Sequence, residues 1–354
     1  MMGPTIKDVA REAGVSASTV SRALAGSSVI SEDTRRRVTA AAERLGYTPN
    51  TAARCLRSDS SGIIGIVVPD ISGEFYAACA SAVFSSARER GYAVLIADSA
   101  GSEGEDGVKT LLERRVDGII FIGGGSDDKL ISETAKKLPV VTGDRKVAGV
   151  TSVVFDDRRT VAELVTALYR DGYRSFSYVG EPTERQWSLK ERYLGYLEGL
   201  LSCPDAAGGS VLDARLDGDK LRGGYEIFFE KFNEKVSGDE TRKAVITSND
   251  LIAQGIISAA NEAGAAVPEE LAVAGFDDSR VCAYWTPPLT SVRQDAGQLA
   301  EECLKRLFGL INKREVNDAV LRQRIIVRES MKINCEISSE TRDGGLTEGE
   351  DGIL

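Results

Sequence analysis

Val15-Ser16-Ala17-Ser18-Thr19-Val20-Ser21-Arg22 decides how this chain reads. Just before it, Ile6, Val9, Ala10 and Ala13 recur at i, i+3, i+4 and i+7, one apolar face of a short helix. Thr5 and Asp8 are spaced as an N-cap and its reciprocal partner. Gly14 suits the left-handed residue that ends such a helix. Ser16 then caps a second helix, with Val20, Ala23 and Leu24 facing inward. Helix, tight glycine-containing turn and helix make a helix-turn-helix, whose second helix is the kind that enters a DNA major groove. A third helix is capped by Ser31, has Glu32 and Asp33 in its first turn, and buries Val38, Ala41, Ala42 and Leu45. Gly46 and Pro49 stop it. Asn50 to Ser58 is too short for a stable isolated helix and needs a partner to fold.

In this register Thr5-Ile6-Lys7-Asp8-Val9-Ala10, Gly14-Val15-Ser16, Thr19-Val20-Ser21-Arg22 and Gly46-Tyr47-Thr48-Pro49-Asn50 resemble the DNA-binding head of the LacI/GalR family of bacterial transcription regulators. The match runs from Thr5 to Leu56 and continues into the rest of the chain. The resemblance implies a homodimer on a pseudo-palindromic double-stranded operator. It puts Ala17, Ser18 and Arg22 where bases are read. Arg22 can hold a guanine bidentately, worth ~1–3 kcal/mol of discrimination. Ser16, Thr19, Ser21 and Thr34 are expected at phosphates, which position the protein without specifying sequence. Thr5, Asn50 and Ala53 complete the expected DNA-binding set. Leu56 is implied to wedge into the minor groove at a central CpG step, beside its twin.

Charge is divided along the chain. Residues 1–60 hold nine Lys/Arg against six Asp/Glu, a net of +3, inside a 354-residue chain of net charge −10. A basic head on an acidic body suits a protein that meets phosphates only through its head. The six cysteines, Cys55, Cys79, Cys203, Cys282, Cys303 and Cys335, are scattered without zinc-site spacing, and there is no histidine. They read as reduced thiols. The polar start and the lack of a long apolar run predict a cytoplasmic protein without signal peptide or membrane span.

After a polar linker the body begins with Ile63-Ile64-Gly65-Ile66-Val67-Val68, a continuous apolar run expected of a strand buried on both faces. Helices are predicted near 74–90, 104–115 and 129–138, between strands at 93–97, 118–122 and 140–142. A second set follows Ser152–Phe155: helices at 160–171, 188–200, 221–232 and 251–263, strands at 175–179, 244–247 and 271–276. Thr290–Arg293, a helix near 297–310 and the segment 319–327 close the body. Alternating strands and helices argue for doubly wound parallel sheets. The resemblance implies a type I periplasmic-binding-protein-like body of two such lobes around an effector cleft. The expected organisation is therefore a small all-α helix-turn-helix head (1–49), a hinge helix and linker (50–61), a two-lobed α/β body (62–337) and an acidic, disordered tail (338–354). No leucine heptad follows the body, which favours a dimer over a tetramer.

Ligands of such sheets gather at the carboxyl ends of the strands. This points to Asp70, Phe75 and Tyr76, to Asp144 and Arg145, to Asn249 with Asp250, and to Asp277 with Asp278. Arg192, in Ser188-x-x-x-Arg192-x-x-Gly195-Tyr196, and Asp277 resemble the family's effector-binding positions. An arginine and aspartates can chelate vicinal sugar hydroxyls, and Trp187 offers a flat face. Asn249 reads equally well as a helix cap, and Trp285 as packing. Gly123-Gly124-Gly125 lacks the spacing and the Lys-Ser/Thr of a phosphate loop, so it reads as a strand-end turn. A small-molecule-responsive repressor, with no cofactor and no catalytic set, is the reading that follows. Corepressor or partner-protein control is the alternative within it. A transporter's solute-binding protein is disfavoured by the head, and an α/β enzyme by the lack of a nucleophile–base pair.

Overall fold

The computed structural model describes residues 4–24, 29–47, 60–99, 104–184, 186–233, 242–334 and 340–342. The chain divides into two compact units, Met1–Ser61 and Gly62–Leu354. The expected hinge residues Asn50, Ala53, Cys55 and Leu56 lie outside the described residues.

The first unit holds α1 (Ile6–Ala13), α2 (Ala17–Leu24) and α3 (Glu32–Leu45). Val9, Ala13, Val20, Ala23, Val38 and Ala41 form its core, ringed by Ile6, Val15, Ala17, Leu24, Leu45 and Tyr47. Each fully buried valine contributes on the order of 1.5–3 kcal/mol, which in so small a unit must outweigh the ordering of three short helices. The turn between α1 and α2 rests on Gly14, whose φ of 66° is left-handed. Arg37 Nη2 donates to Ala13 O at 2.8 Å and ties α3 to that same turn.

The second unit is built on two sheets. Lobe 1 has six strands in the order β11-β5-β4-β3-β1-β2. They are β1 (Ile63–Val68), β2 (Ala93–Asp98), β3 (Gly118–Ile122), β4 (Val140–Gly143), β5 (Thr151–Phe155) and β11 (Ala319–Leu321). Helices α4 (Glu74–Glu89), α5 (Gly104–Glu113) and α6 (Asp128–Ala135) connect the early strands. Lobe 2 has the order β13-β12-β10-β9-β8-β6-β7. Its strands are β6 (Ser175–Gly180), β7 (Ala207–Leu212), β8 (Lys243–Thr247), β9 (Leu271–Asp277), β10 (Thr290–Arg293), β12 (Arg324–Val327) and β13 (Glu340–Arg342). Helices α7 (Asp157–Arg170), α8 (Trp187–Leu201), α9 (Lys220–Ile227) and α10 (Asp250–Glu262) belong to this lobe, whereas α11 (Ala296–Ile311) returns to lobe 1. Alternate residues of a strand serve opposite faces: Ile64, Ile66 and Val68 enter one core of lobe 1 and Val67 the other. That is why β1 is apolar throughout. No helix among the described residues is long and apolar enough to cross a membrane.

Four features depart from the sequence-based expectation. β7 was not anticipated, because Gly208-Gly209 gives it little strand propensity. It is held by parallel pairing to β6 and by the Tyr196 hydroxyl, which donates to Gly209 O at 2.7 Å and accepts from Gly209 N at 3.1 Å. The segment 319–327 is two strands in different lobes, and β12 runs antiparallel to β10 within an otherwise parallel sheet. The helix expected to reach Phe232 changes at Phe228 into a π-helical turn, with Phe228 and Phe232 both in the core. Within the expected tail, residues 340–342 form the edge strand β13 beside β12, whose free backbone groups they satisfy.

The polypeptide crosses between lobes three times: after β5 into α7, after β10 into α11, and between β11 and β12. These crossings position the candidate site of the body.

Candidate nucleic-acid interface and interlobe site

In the head, Asp8 Oδ2 accepts from the Thr5 backbone N–H at 2.9 Å and from its hydroxyl at 2.7 Å. Ser16 Oγ caps α2 by accepting from Thr19 N at 3.1 Å, and shares hydrogen bonds with the hydroxyls of Ser18 and Thr19, each at 2.8 Å. Three hydroxyls thus gather at the amino end of α2, where free N–H groups and the helix dipole favour a phosphate. Ser31 Oγ accepts from Thr34 N and donates to Thr34 Oγ1. Ala17 is half-buried against the head's core, and Ser21 is half-buried. Arg22 is exposed and has no hydrogen-bond or ion-pair partner among the described residues. Arg11, Arg36, Arg37 and Arg44 all reach carboxylates. Arg22 is therefore a free planar donor on the second helix.

In the body, Arg192 is the centre. It is 4% exposed, its Nη1 donates to Ser248 O at 2.6 Å, and its Nε faces Asp157 Oδ1 at 3.5 Å. Its guanidinium carbon lies 3.8 Å from the Phe276 ring centroid, a cation–π contact. Its position depends on Gly195, one turn later. A Cβ there would meet Arg158 O at 2.2 Å, so only glycine lets α8 lie on the start of α7. That approach brings Arg192 to Asp157.

Two buried carboxylates and a half-buried one surround this one cation. Asp157 Oδ1 also accepts from Gln323 Nε2 at 2.9 Å, which joins the first crossing to the third. Asp277 Oδ1 accepts from Gln294 Nε2 at 2.5 Å, which joins the end of β9 to the second. Asp144, at the end of lobe 1's β4, accepts from Ser188 Oγ at 3.1 Å and Gln186 Nε2 at 3.2 Å at the start of lobe 2's α8. Tyr76 OH donates to Gln186 Oε1 at 3.4 Å from the lobe 1 side. Burial pushes Asp144 up to about 8, with the neighbouring Asp157 carboxylate adding to the rise. Burial likewise raises Asp157 and Asp277 to about 6 each, although Arg192 opposes it. The same three carboxylates hold the Arg192 guanidinium more firmly protonated, against the effect of burial. Asp144 and Asp277 have positive φ, 57° and 114°, strained backbone of the kind found at functional sites.

A second cluster adjoins the first. Glu181, at the end of β6, is paired with Lys220 and Ser248 and accepts from Asn249 Nδ2 at 3.2 Å. Burial alone would raise its pKa, but the Lys220 charge and these hydrogen bonds hold it low. Asn249 Oδ1 meanwhile accepts from Ile252 N at 3.1 Å, so it caps α10 and faces the cluster at once.

The structure thus brings together Tyr76, Asp144, Arg192, Asn249 and Asp277. It does not bring the other expected residues to Arg192. Arg145 is turned back into lobe 1, donating to Gly123 O, Ser126 O and Asp128, and so fixes the Gly123–Gly125 turn. Asp70 is exposed and accepts from Ser72 N at 2.8 Å and Ser72 Oγ at 2.6 Å. Phe75 packs on Phe155 with ring centroids 6.4 Å apart. Trp187 is half-buried at the start of α8. Asp278 is committed to Arg293 and Arg328, and Asp250 to Ser291 and Ser279. Trp285 packs against the core of lobe 2. Sequence reasoning missed Asp157, Glu181, Gln294 and Gln323. All four follow strand ends, Asp157, Gln294 and Gln323 at the crossings and Glu181 after β6, where the strand-end rule points.

Comparison with known proteins agrees with this architecture. Residues 5–50 match the profile of bacterial regulatory proteins of the lacI family, and residues 165–331 that of a periplasmic binding protein-like domain. The HTH-type transcriptional regulator RegA of Clostridium saccharobutylicum is 31% identical over 341 residues, 93% of this chain and 99% of that protein. Catabolite control protein A of Priestia megaterium is 31% identical over 339 residues, 94% of this chain and all of that protein. Among solved structures, the lac repressor bound to ONPG in its repressed state superposes with a TM-score of 0.81 at 25% identity, covering 93% of this chain and 100% of that one. A complex of the transcriptional regulator CelR with cellobiose gives 0.65 at 25% identity, with the same coverage. This chain belongs to the LacI family of bacterial transcription regulators. It is a DNA-binding regulator with an α/β sensor body.

Proposed function

We propose that the protein represses transcription from a pseudo-palindromic operator, and that a small polyhydroxylated metabolite between the lobes changes its operator affinity. One observation carries this reading. The buried cluster on Arg192 is hydrogen-bonded to residues at all three chain crossings and reaches Asp144 across the cleft. A ligand that engages it must bias the angle between lobes. The arrangement of hydrogen-bonding groups supports a ligand that carries hydroxyls, as the cellobiose of the CelR complex does, while no catalytic step belongs to the reading. The protein acts in the cytoplasm, with Arg22 and the hinge residue Leu56 contacting operator bases and a central CpG step.

The reading includes a homodimer. Phe84 and Ile96 of lobe 1 and Leu251, Val281 and Tyr284 of lobe 2 are exposed large apolar residues. Arg280 N donates to Glu74 Oε1 at 3.1 Å, joining the turn that carries Val281 and Tyr284 to the helix that carries Phe84. An apolar flank that spans both lobes supports pairing with a second copy.

The test is to select operators from random DNA with the full chain, then titrate the selected site with and without a metabolite panel. Effector coupling of this kind is typically ~1–3 kcal/mol, or about 5–150-fold in affinity. Failure to enrich any palindrome overturns the operator reading, and an affinity that no metabolite moves overturns the sensor.

A further inference from the structure

The charge balance of the interlobe cluster restricts what it can bind. Asp144, Asp157 and Asp277 share the single cation Arg192; Asp277 is half-buried and the other three groups are buried. Lys220, the next cation, is already paired with Glu181. Buried carboxylates without a counter-charge cost several kcal/mol each. Beyond charge, the cluster has too many acceptors. Asp144 Oδ1 and Asp157 Oδ2 accept from no group among the described residues. Neither do Gln294 Oε1 and Gln323 Oε1, on side chains only 6% and 3% exposed. Each glutamine turns its Nε2 to a carboxylate, at Asp277 and Asp157, so its second polar atom is necessarily an acceptor. These oxygens face no donor among the described residues, and an ammonium beside Asp144 would displace the proton that burial keeps on it.

An anion is the wrong partner. Arg192 is already engaged by Asp157, the Ser248 carbonyl and the Phe276 ring, and a phosphate would meet three carboxylates. A metal ion is also the wrong partner, because no three acidic or thiol groups among the described residues converge closely enough to hold one. The carboxylates come from three separate places in the chain, the end of β4, the start of α7 and the end of β9. An ammonium group has three donors, no acceptor and one positive charge, which complements both deficits.

We propose that the cleft takes a polyhydroxylated amine, an amino sugar or amino polyol, in preference to a neutral sugar or a sugar phosphate. This rests on the reading of the cleft as the effector site. The ammonium lies against Asp144 and Asp157, and the hydroxyls donate to Gln294 and Gln323.

The experiment uses the full chain and matched probes: glucosamine against glucose, galactosamine against galactose, mannosamine against mannose, and N-methylglucamine against sorbitol. Sugar 6-phosphates form a third arm. Binding is read by thermal unfolding and calorimetry. At least one amine should bind about tenfold or more tighter than its hydroxyl counterpart, a difference of about 1.4 kcal/mol. Asp144→Asn, which keeps the shape but cannot ionise beside an ammonium, should lose that preference. Arg192→Ala should lose binding of every arm. Neutral or phosphorylated sugars that bind at least as well as their amines, and need Arg192, overturn the amine and leave the effector site standing. Amines that bind equally well to the Arg192→Ala protein overturn the site itself. No binding in any arm overturns both.

Discussion

Gly195 and Arg158 touch at their backbones: a methyl group on Gly195 would lie 2.2 Å from the Arg158 carbonyl oxygen. This contact sets α8 on α7 and thereby sets Arg192 against Asp157. Gly195→Ala must push the helices apart. Overpacking of this kind costs ~1–3 kcal/mol. Denaturant unfolding of the full chain should show that loss in the body, together with weaker effector binding. An unchanged midpoint would disprove the close approach.

Arg22 is the free arginine on the helix expected in the groove. Arg22→Ala should weaken operator binding by ~1–3 kcal/mol and relax specificity at one symmetric base-pair position. Binding to operators substituted at each position checks this. A uniform loss across all of them would make Arg22 a phosphate contact.

Asp144 makes stability depend on pH. Its folded pKa is raised to about 8 from 3.8, so the folded state holds the proton more tightly than the unfolded chain. Its contribution is fully favourable below the unfolded pKa and is lost as pH rises through the folded one. In that window one such group lowers stability by up to ~1.4 kcal/mol per pH unit. Asp144→Asn should therefore be more stable relative to the parent at pH 8 than at pH 5. Parallel unfolding curves at the two pH values would show that Asp144 does not carry the proton.

The interlobe site was only partly legible in the sequence. Strand-end aspartates and the Ser188–Tyr196 motif led to Asp144, Arg192 and Asp277, because their places follow from local pattern. Asp157 and Gln323 are 166 residues apart and meet only because two crossings run side by side, which no local period encodes. Arg145 lies apart from the cluster for the reverse reason. It has the same strand-end position as Asp144, but carbonyls of the Gly123–Ser126 turn take its guanidinium. The head was legible almost residue by residue, since its core follows from helical spacing and its turns from Gly14 and Gly46. β7 was not, since glycine hides a strand that a tyrosine hydroxyl holds in place.

Tyr284 is 82% exposed on the apolar flank. Tyr284→Asp should put an unpaired charge into the proposed dimer interface, a change that typically costs several kcal/mol. Sedimentation should show more monomer, and operator affinity should fall with it. A variant that stays dimeric at the parent's concentration would place the interface elsewhere.

The bond from Arg280 N to Glu74 bridges the lobes, joining the turn that carries Val281 and Tyr284 to the helix that carries Phe84. In a dimer, each protomer would then offer its partner a surface made of two plates with a seam between them. When the plates turn, the seam shears, and the match between the two copies changes along its whole length. If that flank is the dimer interface, the partner subunit would gauge the lobe angle, and one occupied cleft would be felt by the other protomer before any DNA is touched.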